Sequence, residues 1–382
     1  MKSPTLSFLT KSLLACGPVV SPPGSACAQP FHVLHAFTDG LDGANPLGGL
    51  MQDSAGNLYG TTIQGGADID GNVFQIAPDG TQTTLYSFAG GTDGRKPEAG
   101  VIADAAGNLY GTTYYGGAGC DCGTVFKLAP TGTETVLHAF NGRDGANPYA
   151  GLVIDRNNNL YGTTVSGGTE DNGVIYKVTP NGREKLLHTF SGGTDGAIPY
   201  AGLILYRGNL YGTAIIGGAH NSGVVFELNP KGAFKVIHAF TGGRNAAYPE
   251  GGVIADNQGN LYGTTRGGGD GFGTVYKLSP AGTETVLHKF NGATDGSQPY
   301  AGLAADAAGN LYGATVAGGA QQGYGTIFKV AADGTFSRLH TFTDGADGAY
   351  PEGGVIAGGK KVFGVAYAGG AKLWGTVFEI PQ

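Results

Sequence analysis

The stretch Asn57-Leu58-Tyr59-Gly60-Thr61-Thr62 decides how this chain is read. It returns six more times with small changes, and its aromatic residue falls at Tyr59, Tyr110, Tyr161, Tyr211, Tyr262, Tyr312 and Phe363. Successive steps are 51, 51, 50, 51, 50 and 51 residues. A fixed period of this kind marks a repeat architecture, in which each unit is one supersecondary element unable to bury its own apolar face. Seven such units fill the 382-residue chain. One closed body therefore replaces the several domains that length alone would suggest.

Outward from the signature, one repeat reads as four strands. Ala150–Ile154 is a short apolar run, Asp155–Asn159 a turn, and Asn159–Thr164 the Tyr- and Thr-rich signature. Ser166–Gly173 is a glycine-rich loop and Val174–Val178 a third strand. Thr179-Pro180-Asn181-Gly182 is a tight turn with an Asn-Gly hairpin signal, and Glu184–Phe190 is a fourth strand. Short strands punctuated by turns read as all-β. Four antiparallel strands repeated around a circle make a propeller blade, so the predicted fold is a seven-bladed β-propeller. We letter the strands a to d from the axis outward.

The strands are out of phase with the chain ends. Strand d motifs occur at Leu34–Phe37, Leu85–Phe88, Leu137–Phe140, Leu187–Phe190, Ile237–Phe240, Leu287–Phe290 and Leu339–Phe342. The propeller region thus begins on a d strand (Phe31–Phe37) and ends on a c strand (Gly375–Ile380). This phase predicts a ring closed by the N-terminal strand pairing into the C-terminal blade, which covers faces that an open ring would leave bare. The a–b turns (Asp104–Asn108) and c–d turns (Ala129–Thr133) are short, whereas the b–c and d–a loops are long. In a four-strand meander the long loops share one face, and loops on a rigid scaffold are where binding resides.

Composition narrows the function. Charged residues make up 13% of the chain, and the net charge of −7 carries no Lys/Arg run. Nucleic acid is an unsuitable partner, because neutralising phosphates needs clustered positive charge. The 73 glycines have no every-third-residue period, which excludes collagen, and 41% hydrophobic content opposes disorder. Residues 1–28 read as a secretion signal: Lys2 and Lys11 flank a short n-region, an apolar Ser12–Val20 follows, and Ala26-Cys27-Ala28 is a small-x-small cleavage site. The propeller then occupies 29–382, and the protein is expected to be exported, periplasmic or extracellular. Leu13-Leu14-Ala15-Cys16 offers the alternative of a lipoprotein lipidated on Cys16. No other run approaches a membrane span. Cys120 and Cys122, in Gly-Cys-Asp-Cys-Gly, read as a local disulfide or two exposed thiols in one loop, with no further ligands adjacent for a metal.

These residues carry a family resemblance. Gly-Asn-Leu-Tyr-Gly-Thr-Thr, then Gly-Gly-Ala, then Gly-Thr-Val-Phe-Lys-Leu-x-Pro-x-Gly-Thr-Glu-Thr-Val-Leu-His, nearly complete over Ala106–His138, resembles the bacterial GloVer tandem repeat of the "choice-of-anchor" proteins. The resemblance covers essentially the whole propeller region. It implies an exported, propeller-forming repeat protein, often with a C-terminal surface anchor, and no established activity. Here the sequence ends at Pro381-Gln382, directly after the last strand and without a sorting tail.

Each candidate site has a scaffold role beside its functional one. Six d strands carry a histidine (His35, His138, His188, His238, His288, His340) and the seventh Tyr86. Symmetry spreads these around the perimeter, so they cannot converge on one metal, and packing with hydrogen bonding between blades is expected. The signature tyrosines are expected in the core, and the signature glycine is expected to admit the adjacent sheet. The d–a loops share Asp-Gly-x-x-Pro, as at Asp42, Asp93, Asp144, Asp195, Asp295 and Asp347, with Asn245-Ala246 breaking the series. Asp-Gly is a turn former first. Calcium is the sharper alternative, with Asp39, Asp68, Asp70 and Asp344 as extra carboxylates, but no loop has full calcium-loop spacing.

The residue after each proline is more informative: Leu47, Glu98, Tyr149, Tyr200, Glu250, Tyr300 and Glu352. Strand a is innermost, so these residues should ring the mouth of the central channel. Tyrosines and glutamates there could hold a polyol or sugar by stacking and bidentate hydrogen bonds. The variable b–c loops add Tyr115, Arg266, Phe272 and Trp374 as ligand-binding candidates. No nucleophile motif, zinc spacing or phosphate loop is present. The leading expectation is therefore a binding module for a glycan or protein at the cell envelope, needing no cofactor. The alternatives are a polysaccharide lyase or hydrolase using Glu98, Glu250 and Glu352, and a non-catalytic structural or adhesion protein.

Overall fold

The computed structural model describes residues 31–229, 231–319 and 323–382. Residues 1–28, expected to be a secretion signal, and Cys16 within them lie outside the described residues. Among the described residues all regular structure is β, arranged as seven four-stranded antiparallel sheets and one two-stranded ribbon. Blade 1 contains Met51–Gln52, Leu58–Thr62, Asn72–Ile76 and Gln82–Ser87. Blades 2 to 6 repeat that order through Thr341. Blade 7 takes strands a to c from Val355–Gly358, Lys361–Ala366 and Thr376–Pro381. Its strand d is His32–Ala36, which pairs antiparallel with Thr376–Pro381 through His32↔Glu379, Val33↔Phe378, His35↔Val377 and Ala36↔Thr376. The closure is the one the strand phase predicts.

The core lies between blades. Among the described residues there are seven buried clusters, one per seam. Val73 and Phe88 of blade 1 pack with Val101, Leu109 and Phe126 of blade 2. At the closing seam Phe37 and Val377 of blade 7 pack with Leu50, Leu58 and Phe74 of blade 1. Each blade buries both faces against neighbours, which is why the middle strands read as near-continuous apolar runs.

Two expectations change. The inner strands are shorter than the sequence suggests: Ala150–Ile154 contracts to Val153–Ile154. Near the axis the blades converge until backbone meets backbone, and a Cβ on Gly100 would collide with the Gly49 carbonyl oxygen. The signature glycine also has a different role. Gly60 lies opposite Phe74 within its own blade, and a Cβ there would come within 2.6 Å of the Phe74 ring and 3.0 Å of Leu50. It makes room for the strand-c aromatic of its own sheet, not for the adjacent sheet.

The signature tyrosines are scaffold, as expected, and they also cap a turn. The Tyr59 hydroxyl donates to Asp53 (3.1 Å), and the Asp53 carboxylate also accepts from the Asn57 side chain and backbone. The same arrangement recurs at Tyr110, Tyr161, Tyr262 and Tyr312 with Asp104, Asp155, Asp256 and Asp306. The perimeter histidines join loop and seam. His288 meets Asp295 at 2.9 Å and its ring stacks on Phe336 of the next blade at 3.8 Å. Where Asn245 replaces the aspartate, His238 meets Glu284 of the next blade instead, at 2.9 Å.

Candidate functional site

The two long loops of each blade are zipped together on one face. The d–a loop pairs with the b–c loop at Ala44↔Gln64, Arg95↔Tyr115, Ala146↔Ser166, Ala197↔Ile216, Ser297↔Ala317 and Ala349↔Ala368, and in blade 5 at Ala246–Ala247 with Gly267–Gly268. Just after this pairing, the residue before each proline enters the left-handed region. Asn45, Lys96, Asn147, Ile198, Tyr248, Gln298 and Tyr350 have φ between 54° and 59°. This conformation is uncommon outside glycine and a genuine outlier for a β-branched residue such as Ile198. It persists because each of these residues is bonded on both sides. The Asn147 N–H donates to Cys122 O of the preceding blade (2.7 Å), and its carbonyl accepts from Val165 N–H of its own blade (3.2 Å). The other six repeat the brace. The proline that follows turns the next side chain inward.

A second bond fixes that inward residue. The first signature threonine donates to the carbonyl just past it on the next blade: Thr61 to Ala99 O (2.8 Å), Thr112 to Ala150 O, Thr163 to Ala201 O, Thr213 to Gly251 O and Thr264 to Ala301 O (2.8 Å). These bonds hold Glu98, Tyr149, Tyr200, Glu250 and Tyr300. Ala314 and Val365 stand at the corresponding positions ahead of Glu352 and Leu47. All seven inward residues line one axial cavity of about 300 Å³, floored by the Gly48, Gly100, Gly151, Gly202, Gly252, Gly302 and Gly353 backbone.

The ring is chemically lopsided. Tyr149 and Tyr200 stack with centroids 3.8 Å apart, and Tyr114 meets Tyr149 edge-on at 6.1 Å. Burial pushes the Glu98 carboxyl up to about 7, with Lys96 pulling down and Glu352 pushing up. Burial also raises Glu352. Glu250 is raised by burial against the pull of Arg266, whose Nη1 lies 3.0 Å from its carboxylate. Burial raises both stacked tyrosines, and the Glu98 and Glu352 charges reinforce the shift. In ring order, Glu352, Leu47 and Glu98 form one arc and Tyr149 and Tyr200 the next.

The sequence-predicted residues separate into groups. Glu98, Tyr149, Tyr200, Glu250, Tyr300 and Glu352 come together in the cavity, and Arg266 joins them through Glu250. Tyr115 does not line the cavity; it meets Tyr114 edge-on and lies under the Arg95 guanidinium, 4.7 Å from its ring centre. Arg95 in turn pairs with Asp121, in the loop closed by the Cys120–Cys122 disulfide. Phe272 and Trp374 are 40% and 36% exposed on separate loops and do not line the cavity. In the Asp-Gly loops, the Asp42 oxygens already take His35 and Thr38.

Sequence reasoning singled out Arg266 but missed that its position, the residue that follows strand b, varies together with the ring residue. In blades 2, 5 and 7, whose ring residue is glutamate, this residue is Tyr114, Arg266 and Tyr367; in the other blades it is Ile63, Val165, Ile215 and Val316. Burial raises Tyr114 and Tyr367, the Glu98 charge adds to both, and the Glu352 charge adds to Tyr367. The signal was present as a covariation between two positions of the repeat.

Fold and ring together define a seven-bladed propeller with one asymmetric axial site. The chain belongs to the Gloeobacter/Verrucomicrobia repeat family, which matches residues 24–213, 120–306 and 270–382. No curated protein matches it in sequence. Several solved structures share the fold. The extracellular domain of the one-component system BT4673 from B. thetaiotaomicron is 11% identical, with a TM-score of 0.54 over 87% of this chain and 38% of that one. A puromycin-hydrolyzing peptidase of Mycobacterium tuberculosis is 12% identical, with a TM-score of 0.55 over 89% and 52%. PorZ, a surface component of the type-IX secretion system of Porphyromonas gingivalis, is 12% identical, with a TM-score of 0.52 over 87% and 46%. This chain thus spans about half or less of those chains, and the likeness extends to the fold alone. Among the described residues no helix is long and apolar enough to cross a membrane.

Proposed function

We propose that this is an exported binding module that takes a carbohydrate segment at the mouth of the axial channel. One observation carries the reading. The residue after each proline changes between leucine, glutamate and tyrosine from repeat to repeat, and those seven side chains line a single cavity. A stacked tyrosine pair offers a flat face to a sugar ring, and buried carboxyls beside it accept or donate hydrogen bonds to hydroxyls. Export accords with the N-terminal signal pattern, and two of the fold relatives are an extracellular domain and a bacterial surface component. The test is calorimetric titration with a panel of oligosaccharides against the wild type and Tyr149→Ala. Binding that Tyr149→Ala abolishes supports the reading, and binding indifferent to that change overturns it.

A second reading rests on Glu98. A carboxyl held up to about 7 beside Glu352 suits a general acid in glycoside cleavage. Polysaccharide turnover lost in Glu98→Gln would establish this enzyme reading in place of pure binding.

A further inference from the structure

The three glutamates of the ring are not equivalent. Glu250 is 9% exposed and receives a guanidinium from its own blade, Arg266, at 3.0 Å. In blades 2 and 7 the position that supplies this cation is Tyr114 and Tyr367. Glu98 and Glu352 therefore keep the carboxyl of the blade 5 pair, while the cation is replaced by an aromatic wall. Among the described residues neither carboxylate has a side-chain ion pair or hydrogen bond. Among the described residues the cation that acts on Glu98 is Lys96, which also lies 5.8 Å above the Tyr115 ring. Next to this arc stand the stacked Tyr149 and Tyr200 rings.

We infer that the cavity is built for a ligand cation, and that the arc between Glu98 and Glu352 seats the protonated amino group of an amino sugar whose ring lies on Tyr149. This rests on the carbohydrate reading above. An ammonium beside carboxylates gains charge-assisted hydrogen bonds, and the tyrosine faces add cation–π attraction. The protein already satisfies the third ring glutamate with its own cation, so the blade 5 pair is an internal precedent for the contact. An N-acetylated sugar would bring a neutral amide to the same place and leave both carboxyls without a partner.

The test uses the full chain with two probes, a glucosamine oligomer and the N-acetylglucosamine oligomer of equal length, titrated calorimetrically near neutral pH. The free amine is expected to bind about tenfold or more tightly than the amide, the scale of one charge-assisted hydrogen bond. Glu98→Gln with Glu352→Gln should erase the difference. Tyr114→Arg, which copies the blade 5 arrangement into blade 2, should erode the preference while thermal melting reports an intact fold. A preference that survives the double glutamine variant is diffuse attraction to an acidic protein and overturns the inference. Equal binding of both oligomers, lost in Tyr149→Ala, overturns it too but leaves the carbohydrate reading standing. Binding of neither oligomer, nor of any neutral oligosaccharide, overturns both.

Discussion

Ring closure can be tested at Phe37. This residue sits at the end of the N-terminal strand, is fully buried, and meets Phe74 of blade 1 edge-on at 5.2 Å. Its N–H donates to Gly375 O at 3.0 Å, so it bonds the last blade with its backbone and the first with its ring. Phe37→Ala removes a fully buried aromatic, a change that costs about 3–5 kcal/mol in packed cores. With an unfolding entropy of about 2.1 cal/mol/K per residue, a propeller of this size loses about 5 °C of Tm for ~4 kcal/mol. Val33 on the same strand is 38% exposed, and Val33→Ala should cost under about 0.5 kcal/mol, as surface changes do. Thermal melting by circular dichroism reads both, and limited proteolysis of the region before Thr38 reports detachment of the strand. Deleting Phe31–Phe37 should exceed either effect, because it exposes the edge of Thr376–Pro381 as well. Equal shifts for Phe37→Ala and Val33→Ala, or a deletion that melts with the wild type, would refute closure by this strand.

Other outcomes follow from single bonds. Between the ordinary carboxylate value of 4.5 and about 7, Glu98 keeps its proton in the native state and loses it in the unfolded one. The native state then binds more protons, so stability falls as pH rises through that window. Glu98→Gln should therefore melt above the wild type at pH beyond 7 and converge with it towards pH 4.5; parallel melting curves across that range would contradict the assignment. Ile198→Asn should raise stability by about 1 kcal/mol in chemical denaturation, because asparagine tolerates φ near 57° and a β-branched residue does not. Asp295→Ala strips partners from His288 and the Asn291 N–H and should cost about 1–3 kcal/mol. Thr264→Val leaves Ala301 O without its donor and should cost about 1 kcal/mol, with any ligand affinity that depends on Tyr300 falling in parallel.

The fold was legible because it is written seven times. Tyr59 and its equivalents count the blades, and the strand phase at the two termini announces how the ring closes. Loop lengths assigned the long-loop face, and the post-proline position located the cavity. What stayed hidden depends on distances across blades. Nothing in a single repeat says that Gly60 faces Phe74 of its own sheet, because strand pairing must be known first. The αL brace was also unreadable. Asn45, Lys96, Ile198 and Tyr350 share no side-chain chemistry, and their common feature is backbone geometry imposed by two hydrogen bonds from different blades. Arg266 was singled out as a loop residue, yet its partner Glu250 lies sixteen positions earlier, and only the sheet register brings the two together.

The symmetry explains why the site must be asymmetric. A ring of equal repeats can present only seven copies of one side chain to its axis, and seven copies of a charge would repel one another in so small a volume. Any discriminating site therefore requires the repeats to diverge where they converge in space, while everything that holds them there stays fixed. The chain has that division. The Tyr–Asp turn cap recurs in five blades, the threonine clamp on the neighbouring blade's inner strand recurs in five, and the pre-proline brace recurs in all seven. The post-proline side chain changes between leucine, glutamate and tyrosine. It changes together with the residue that follows strand b: glutamate is matched by tyrosine or arginine, and tyrosine or leucine by isoleucine or valine. Packing alone would not sort the pairs in this way, because a glutamate and a tyrosine can each be covered by an aliphatic side chain. The sorting follows charge: each buried carboxyl is given either a cation or an aromatic wall against which one can sit.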